Sequence, residues 1–126
     1  MKKQIEQLKE FHRVFGLIER KRPMLIPDDE YESRRRLLEE EVRELDEAYY
    51  DDDIIEIADA ITDCLYVLIG TALQFGLTDV LEKCFDEVHR SNMSKLGEDG
   101  IPIVHFGGKV MKGSNYSPPD LLKIIK

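Results

Sequence analysis

An all-α fold, a bundle of four main helices with an irregular, partly β-hairpin tail, is predicted by three observations on this chain. Apolar residues recur at three- and four-residue steps over most of the first ninety or so positions. Helix-breaking clusters of proline, glycine and aspartate separate those runs. Residues 54–76 are apolar on nearly every side, the mark of a helix buried in a bundle, yet Glu56, Asp59 and Asp63 stand among them.

The 126 residues suit a single domain spanning 1–126, with residues 97–126 as its irregular tail. A hydrophobic content of 42% excludes a disordered chain, and a net charge of −8 argues against nucleic acid as the main partner. No leader is visible, and the apolar run after Asp63 is too short for a bilayer span, so no membrane is expected and the location is expected to be cytoplasmic. Cys64 and Cys84 both fall at apolar helix positions and are expected to be reduced packing residues.

Ile5, Leu8, Phe11, Phe15 and Ile18 predict a first amphipathic helix over 3–19. The basic stretch Arg20, Lys21, Arg22 and Pro23 leaves it, either as a solvated helix end favoured by the helix dipole or as a phosphate-facing loop. Asp28 or Asp29 can cap a second helix running to about Tyr50, with Tyr31, Leu38, Val42, Leu45 and Tyr49 as its core stripe. Asp51, Asp52 and Asp53 form a capping turn into the third helix, which should stop at Gly76. Thr78 caps a fourth helix, with Val80 or Leu81, Phe85, Val88 and Met93 turned inward, that ends near Gly97. Two β-prone runs flank Gly107 and Gly108 as a hairpin, and Ser117, Pro118, Pro119 and Asp120 can start a last short helix.

The chemistry lies in the acids. Glu56, Asp59 and Asp63 are spaced i, i+3, i+7 and share one helix stripe. Removing their hydration costs several kcal/mol each unless counter-charge is supplied. Between Arg43 and Lys83 there is no Lys or Arg, whereas Asp and Glu occur eleven times. A bound cation is the simplest counter-charge. Glu40, Glu41 and Glu44 on the second helix fall within about 100 degrees of one another beside the core stripe, so two acidic helices can form an all-oxygen cage. Such a cage suits Mg2+, with Mn2+ as substitute, and through it the phosphates of a nucleotide. Glu39, Glu47 and the aspartate run are read as solvated or capping residues. Asn92 and Lys95, three apart, project an amide and an ammonium from one helix face.

With these residues in view, the chain resembles the all-α nucleoside triphosphate pyrophosphohydrolases, the MazG-like and phosphoribosyl-ATP pyrophosphohydrolase-like group. Their EExxE and ExxD patterns are matched by Glu40-Glu41-Val42-Arg43-Glu44 and Glu56-Ile57-Ala58-Asp59. The likeness runs on through Phe11 to Gly16, Ala58 to Val67, Glu87 to Lys95 and Lys112 to Tyr116. It implies Mg2+-dependent cleavage of a (deoxy)nucleoside triphosphate between its α- and β-phosphates. Glu40, Glu41, Glu44 and Asp59 would be metal ligands, with Glu56 a ligand or the residue that orients the attacking water, and Asp63 kept in the ligand set. Glu41 and Glu56 are the expected catalytic carboxylates. Asn92 and Lys95 would contact nucleotide, joined by Lys112 and Tyr116. The resemblance further implies a homodimer or homotetramer that buries apolar helices between subunits.

Two other readings compete. One is a non-catalytic acidic helical module that meets a basic partner. The other is a metal-binding redox bundle, for which a single Asp86-x-x-His89 element is present where such bundles need two.

Overall fold

A computed structural model describes residues 1–105 and 107–126. Its helices are α1 (Lys2–Phe15), α2 (Asp28–Tyr50), α3 (Ile54–Gln74), α4 (Thr78–Met93) and the short α5 (Leu122–Ile125). The chain forms two compact units, Met1–Asp79 and Val80–Lys126. Among the described residues no single helix is long and apolar enough to cross a membrane.

In the first unit α1 and α2 both pack on α3. The core is made by Ile5 and Leu8 of α1, Ala48 of α2, and Ala60, Ile69, Ala72 and Leu73 of α3, with Leu73 wholly enclosed. α1 ends earlier than its apolar spacing suggested, because Gly16 turns left-handed at φ 67° and Leu17 N–H reaches back to His12 O at 2.8 Å. Ile18 therefore lies beyond the helix. α2 opens at Asp28 with Pro27 as its cap residue and no side-chain cap, so the expected Asp28 or Asp29 cap is replaced by dipole compensation from Asp28, Asp29 and Glu30 in the first turn. The turn into α3 is capped as expected: Asp53 Oδ1 accepts from Ile55 N at 3.0 Å and Glu56 N at 3.1 Å.

α3 closes with paired bonds, Leu77 N to Ala72 O at 2.8 Å and Gly76 N to Leu73 O at 3.1 Å, around a left-handed Gly76. Its remaining terminal carbonyls are met by the loop after α1. Arg20 N donates to Leu73 O, Met24 N to Phe75 O, and Arg20 Nη1 to Gln74 O at 2.8 Å. Arg20 also forks onto Glu30 at 2.8 and 2.9 Å, which holds the Glu30 carboxyl below its ordinary value. Arg20 of the basic loop thus serves the C-terminus of α3, not that of α1.

The predicted stripe of α2 is corrected. Tyr31, Val42 and Tyr49 are exposed, while Arg34 and Ala48 are buried. α3 is also less covered than expected, with Ile54, Ile55, Ile61, Leu65 and Leu68 exposed. α1 and α2 leave part of its circumference open, even beside Tyr66, which Phe11 of α1 meets edge-on at 5.4 Å.

In the second unit α4 carries Glu87 and Arg90, whose side chains form a two-bond fork at 2.8 and 2.9 Å. Asp120 N–H donates to the same carboxylate at 2.9 Å, and Arg90 Nη2 donates to Pro118 O at 3.2 Å, so the segment before α5 is tied to α4. The Arg90 fork and then the Asp120 amide push the Glu87 carboxyl down to about 2. The expected β-hairpin does not form as strands among the described residues. A single antiparallel bridge, Val104 to Val110, stands in its place, and Gly108 is left-handed at φ 80°. Phe106, within the same expected hairpin, lies outside the described residues.

Two left-handed glycines make a matched test. A Cβ at Gly16 meets nothing within 4 Å, whereas one at Gly76 runs into the Arg22 backbone. Gly16→Ala is expected to cost about 1 kcal/mol from backbone conformation alone. Gly76→Ala should cost at least about 2 kcal/mol, because overpacking adds to that penalty. Urea unfolding of both variants measures the difference.

Candidate metal centre

α2 projects Glu41 and Glu44, about one turn apart, toward the stripe of α3 that carries Asp63. One carboxylate oxygen from each of the three lies within 4.8 Å of the others. Glu41 is half-buried, Asp63 half-buried and Glu44 exposed. Glu41 Oε2 is fully enclosed and has no hydrogen-bond partner among the described residues. A buried acceptor of this kind normally finds a donor, so its lack of one is the feature of the site that asks for a ligand.

The electrostatics agree. The Glu41 carboxyl is raised above its ordinary value, first by burial and then by the charges of Glu44, Asp63 and Glu40. The neighbouring Cys64 thiol is pushed up by its own burial and by Glu41 and Asp63. A cation held here would offset both the burial and the neighbouring charges that oppose negative charge at Glu41. The donor set is all oxygen, and ligand oxygens around a hard divalent ion at roughly 2.0–2.6 Å stand about 3–5 Å apart, so the residues fit Mg2+ or Mn2+.

Of the six carboxylates expected as ligands, the structure brings together Glu41, Glu44 and Asp63. Glu40, Glu56 and Asp59 are exposed and stand outside that trio. Asp59 and Glu56 precede Asp63 by about one and two turns on the same stripe. Glu56 and Asp59 are therefore not immersed in an apolar interior as their sequence surroundings suggested. The acids turned toward the helix interface are Glu41 of α2 and Asp63 of α3, both half-buried, and of these Glu41 carries the enclosed oxygen without a partner.

The expected nucleotide contacts Asn92, Lys95, Lys112 and Tyr116 belong to the second unit. Asn92 is exposed and Lys95 half-buried, with its carbonyl accepting from Gly113 N at 3.0 Å. Lys112 Nζ sits 4.6 Å above the Tyr116 ring, a cation over a π face. The residues that spacing did not single out are Arg34 and His12, both buried in the first unit. Gly70 was the available signal. A glycine inside a helix costs about 1 kcal/mol against alanine, and here its missing side chain leaves room for Arg34 Nη2 and His12 Nε2.

Residues 8–92 match the phosphoribosyl-ATP pyrophosphohydrolase family over more than half of the chain. The chain belongs to this family. Family membership places it among the pyrophosphohydrolases, hydrolases of phosphoanhydride bonds. The matched stretch contains all six acidic positions and Asn92, and it stops before Lys95, Lys112 and Tyr116. Among solved structures, a candidate NTP pyrophosphohydrolase from Exiguobacterium sp. 255-15 is similar, with 25% identity, a TM-score of 0.48, and coverage of 92% of this chain and 88% of that one. No curated protein matches the chain.

The raised Glu41 value carries a linkage. A carboxyl with a higher pKa folded than unfolded binds more protons in the folded state, so its stabilising contribution is full below the unfolded value and lost as pH rises through the folded one. Glu41→Gln is therefore expected to melt higher than the parent protein in chelator at pH 7, with the difference shrinking toward pH 4. Thermal melts of the two proteins across that range isolate the effect of Glu41 from the other carboxylates.

Proposed function

We propose that this chain is a Mg2+-dependent nucleoside triphosphate pyrophosphohydrolase, which cleaves a (deoxy)nucleotide between its α- and β-phosphates to a monophosphate and pyrophosphate. The observation that carries the reading is the enclosed, unpartnered Glu41 oxygen at the centre of a three-carboxylate cluster in a pyrophosphohydrolase family. Glu41, Glu44 and Asp63 would hold a divalent ion, with Glu40 and Asp59 completing its surroundings once substrate is bound. When bound, that ion supplies counter-charge to the phosphate oxygens and acidifies a water.

The chain's own groups do the rest. Glu56, exposed about two turns from Asp63, is free to orient a water and accept its proton as the water oxygen attacks phosphorus. The bridging P–O bond breaks and pyrophosphate departs with the electron pair. No covalent nucleophile is needed. Asn92, Lys95, Lys112 and Tyr116 would contact the nucleotide.

Assembly belongs to the same reading. On a helical wheel the exposed Tyr31, Val42 and Tyr49 of α2 lie within about 20 degrees of one another, and Ile54, Ile61, Leu65 and Leu68 of α3 within about 60. A homodimer or homotetramer would remove these flanks from water.

Pyrophosphate release is the test, read on a panel of canonical and deoxynucleoside triphosphates with Mg2+ and with chelator. Release is expected with Mg2+ alone. It should fall roughly 100-fold or more in Glu41→Gln and in Asp59→Asn, while both variants stay folded. Release that persists in both variants overturns the site assignment. Silence across the panel with no Mg2+-linked rise in melting temperature favours a non-catalytic module.

A further inference from the structure

Arg34 is almost wholly buried, and no carboxylate partner is seen for it among the described residues. Its guanidinium crosses from α2 to α3, where Nε donates to Thr71 Oγ1 at 3.0 Å and Nη2 to Val67 O at 2.9 Å. Thr71 Oγ1 itself donates to Val67 O at 2.7 Å, so one helical carbonyl gathers a closed polar triangle. Burying a guanidinium is costly, and two directed bonds to a rigid helix give it one geometry.

The space for that geometry is made by Gly70. A Cβ there would lie 2.7 Å from Arg34 Nη2 and 3.1 Å from His12 Nε2. His12, 1% exposed, has its Nδ1 2.9 Å from Ile18 O. A carbonyl only accepts, so Nδ1 carries the proton and Nε2 of the neutral ring offers a lone pair on the side where the guanidinium lies.

The position of this triangle along the hairpin matters. Glu41 follows Arg34 by seven residues on α2, about two turns, and Asp63 precedes Thr71 by eight on α3. Toward the other end, Glu41 and Asp63 each stand ten residues from the capped turn, at Asp51 and Asp53. The acidic cluster thus lies between two fixed points, the turn and the Arg34 triangle. Three carboxylates held this close repel one another and drive the helices apart. A hairpin tied only at its turn would yield to that force.

We propose that Arg34 is a positioning residue, which locks the register of α2 on α3 through Thr71 and Val67 and so keeps Glu41, Glu44 and Asp63 at ion-binding spacing. The proposal rests on the metal-site reading above and adds the device that maintains it. Gly70 and His12 belong to the device by fixing where the guanidinium can sit.

The test is the Mn2+ dissociation constant, measured by calorimetry on Arg34→Met, Arg34→Lys and Gly70→Ala, each first checked for helical content at low temperature. Leu8→Ala, a core truncation in α1 far along the chain from Arg34 and Gly70, is the control for general loss of stability. Each of the three variants is expected to bind Mn2+ at least tenfold more weakly. Leu8→Ala should stay within twofold of the parent, and the double variant Arg34→Met with Gly70→Ala should lose no more affinity than Arg34→Met alone. Parent-like Mn2+ binding in the folded Arg34 and Gly70 variants overturns the positioning role, as does equal weakening in Leu8→Ala. Absence of Mn2+ binding by the parent protein overturns the metal-site reading itself.

Discussion

The structure depends on a repulsion it does not relieve by itself. Packing α2 against α3 brings Glu41 and Glu44 to Asp63 with oxygens inside 4.8 Å and no basic residue between Arg43 and Lys83 to neutralise them. Two such charges at that distance repel by on the order of 3 kcal/mol at the effective dielectric of a protein surface. Burial and these neighbouring charges raise the Glu41 carboxyl above its ordinary value. In the proposed reading a divalent ion would supply the missing counter-charge, and stability set aside at this point would become affinity for that ion.

Holding such a centre requires rigidity around it, and the first unit supplies this with hydrogen bonds more than with bulk. Its enclosed apolar set is small, with alanines at Ala48, Ala60 and Ala72. The Asp53 cap closes one end of the α2–α3 hairpin, and the loop carrying Arg20 and Met24 satisfies the last carbonyls of α3. Arg20 and Arg34 are both drawn into this framework. Arginine suits the task because its planar fork spends little freedom for each bond it makes.

Much of the fold was legible because helix formation is local. Four long helices followed from apolar spacing, and Asp53 and Gly76 mark ends of α3 by capping and backbone chemistry that needs only a few neighbouring residues, whereas the left-handed Gly16 ends α1 short of the expected residue 19. The candidate site was legible as a pattern. Glu41, Glu44 and Asp63 were all among the acids picked out by spacing, though Glu40, Glu56 and Asp59 were not distinguishable from them. The tail was read less well. Beta-prone runs around Gly107 and Gly108 yield a single bridge, since an isolated hairpin has too little apolar area and too few pairings to persist as strands.

The sequence by itself determined the helical class, the capped turn between α2 and α3 and the excess of unneutralised acids, since each depends on residues within a turn or two of one another. Only the tertiary structure decided which acid loses its water. Rotating α2 about its axis by a third of a turn would bury Val42 in place of Glu41, and the spacing within α2 alone permits either. The choice is made where Arg34 reaches across to Val67 and Thr71 through the space left by Gly70, a contact between residues 33 to 37 positions apart. Helix register is a property of two faces meeting, and no local pattern contains it.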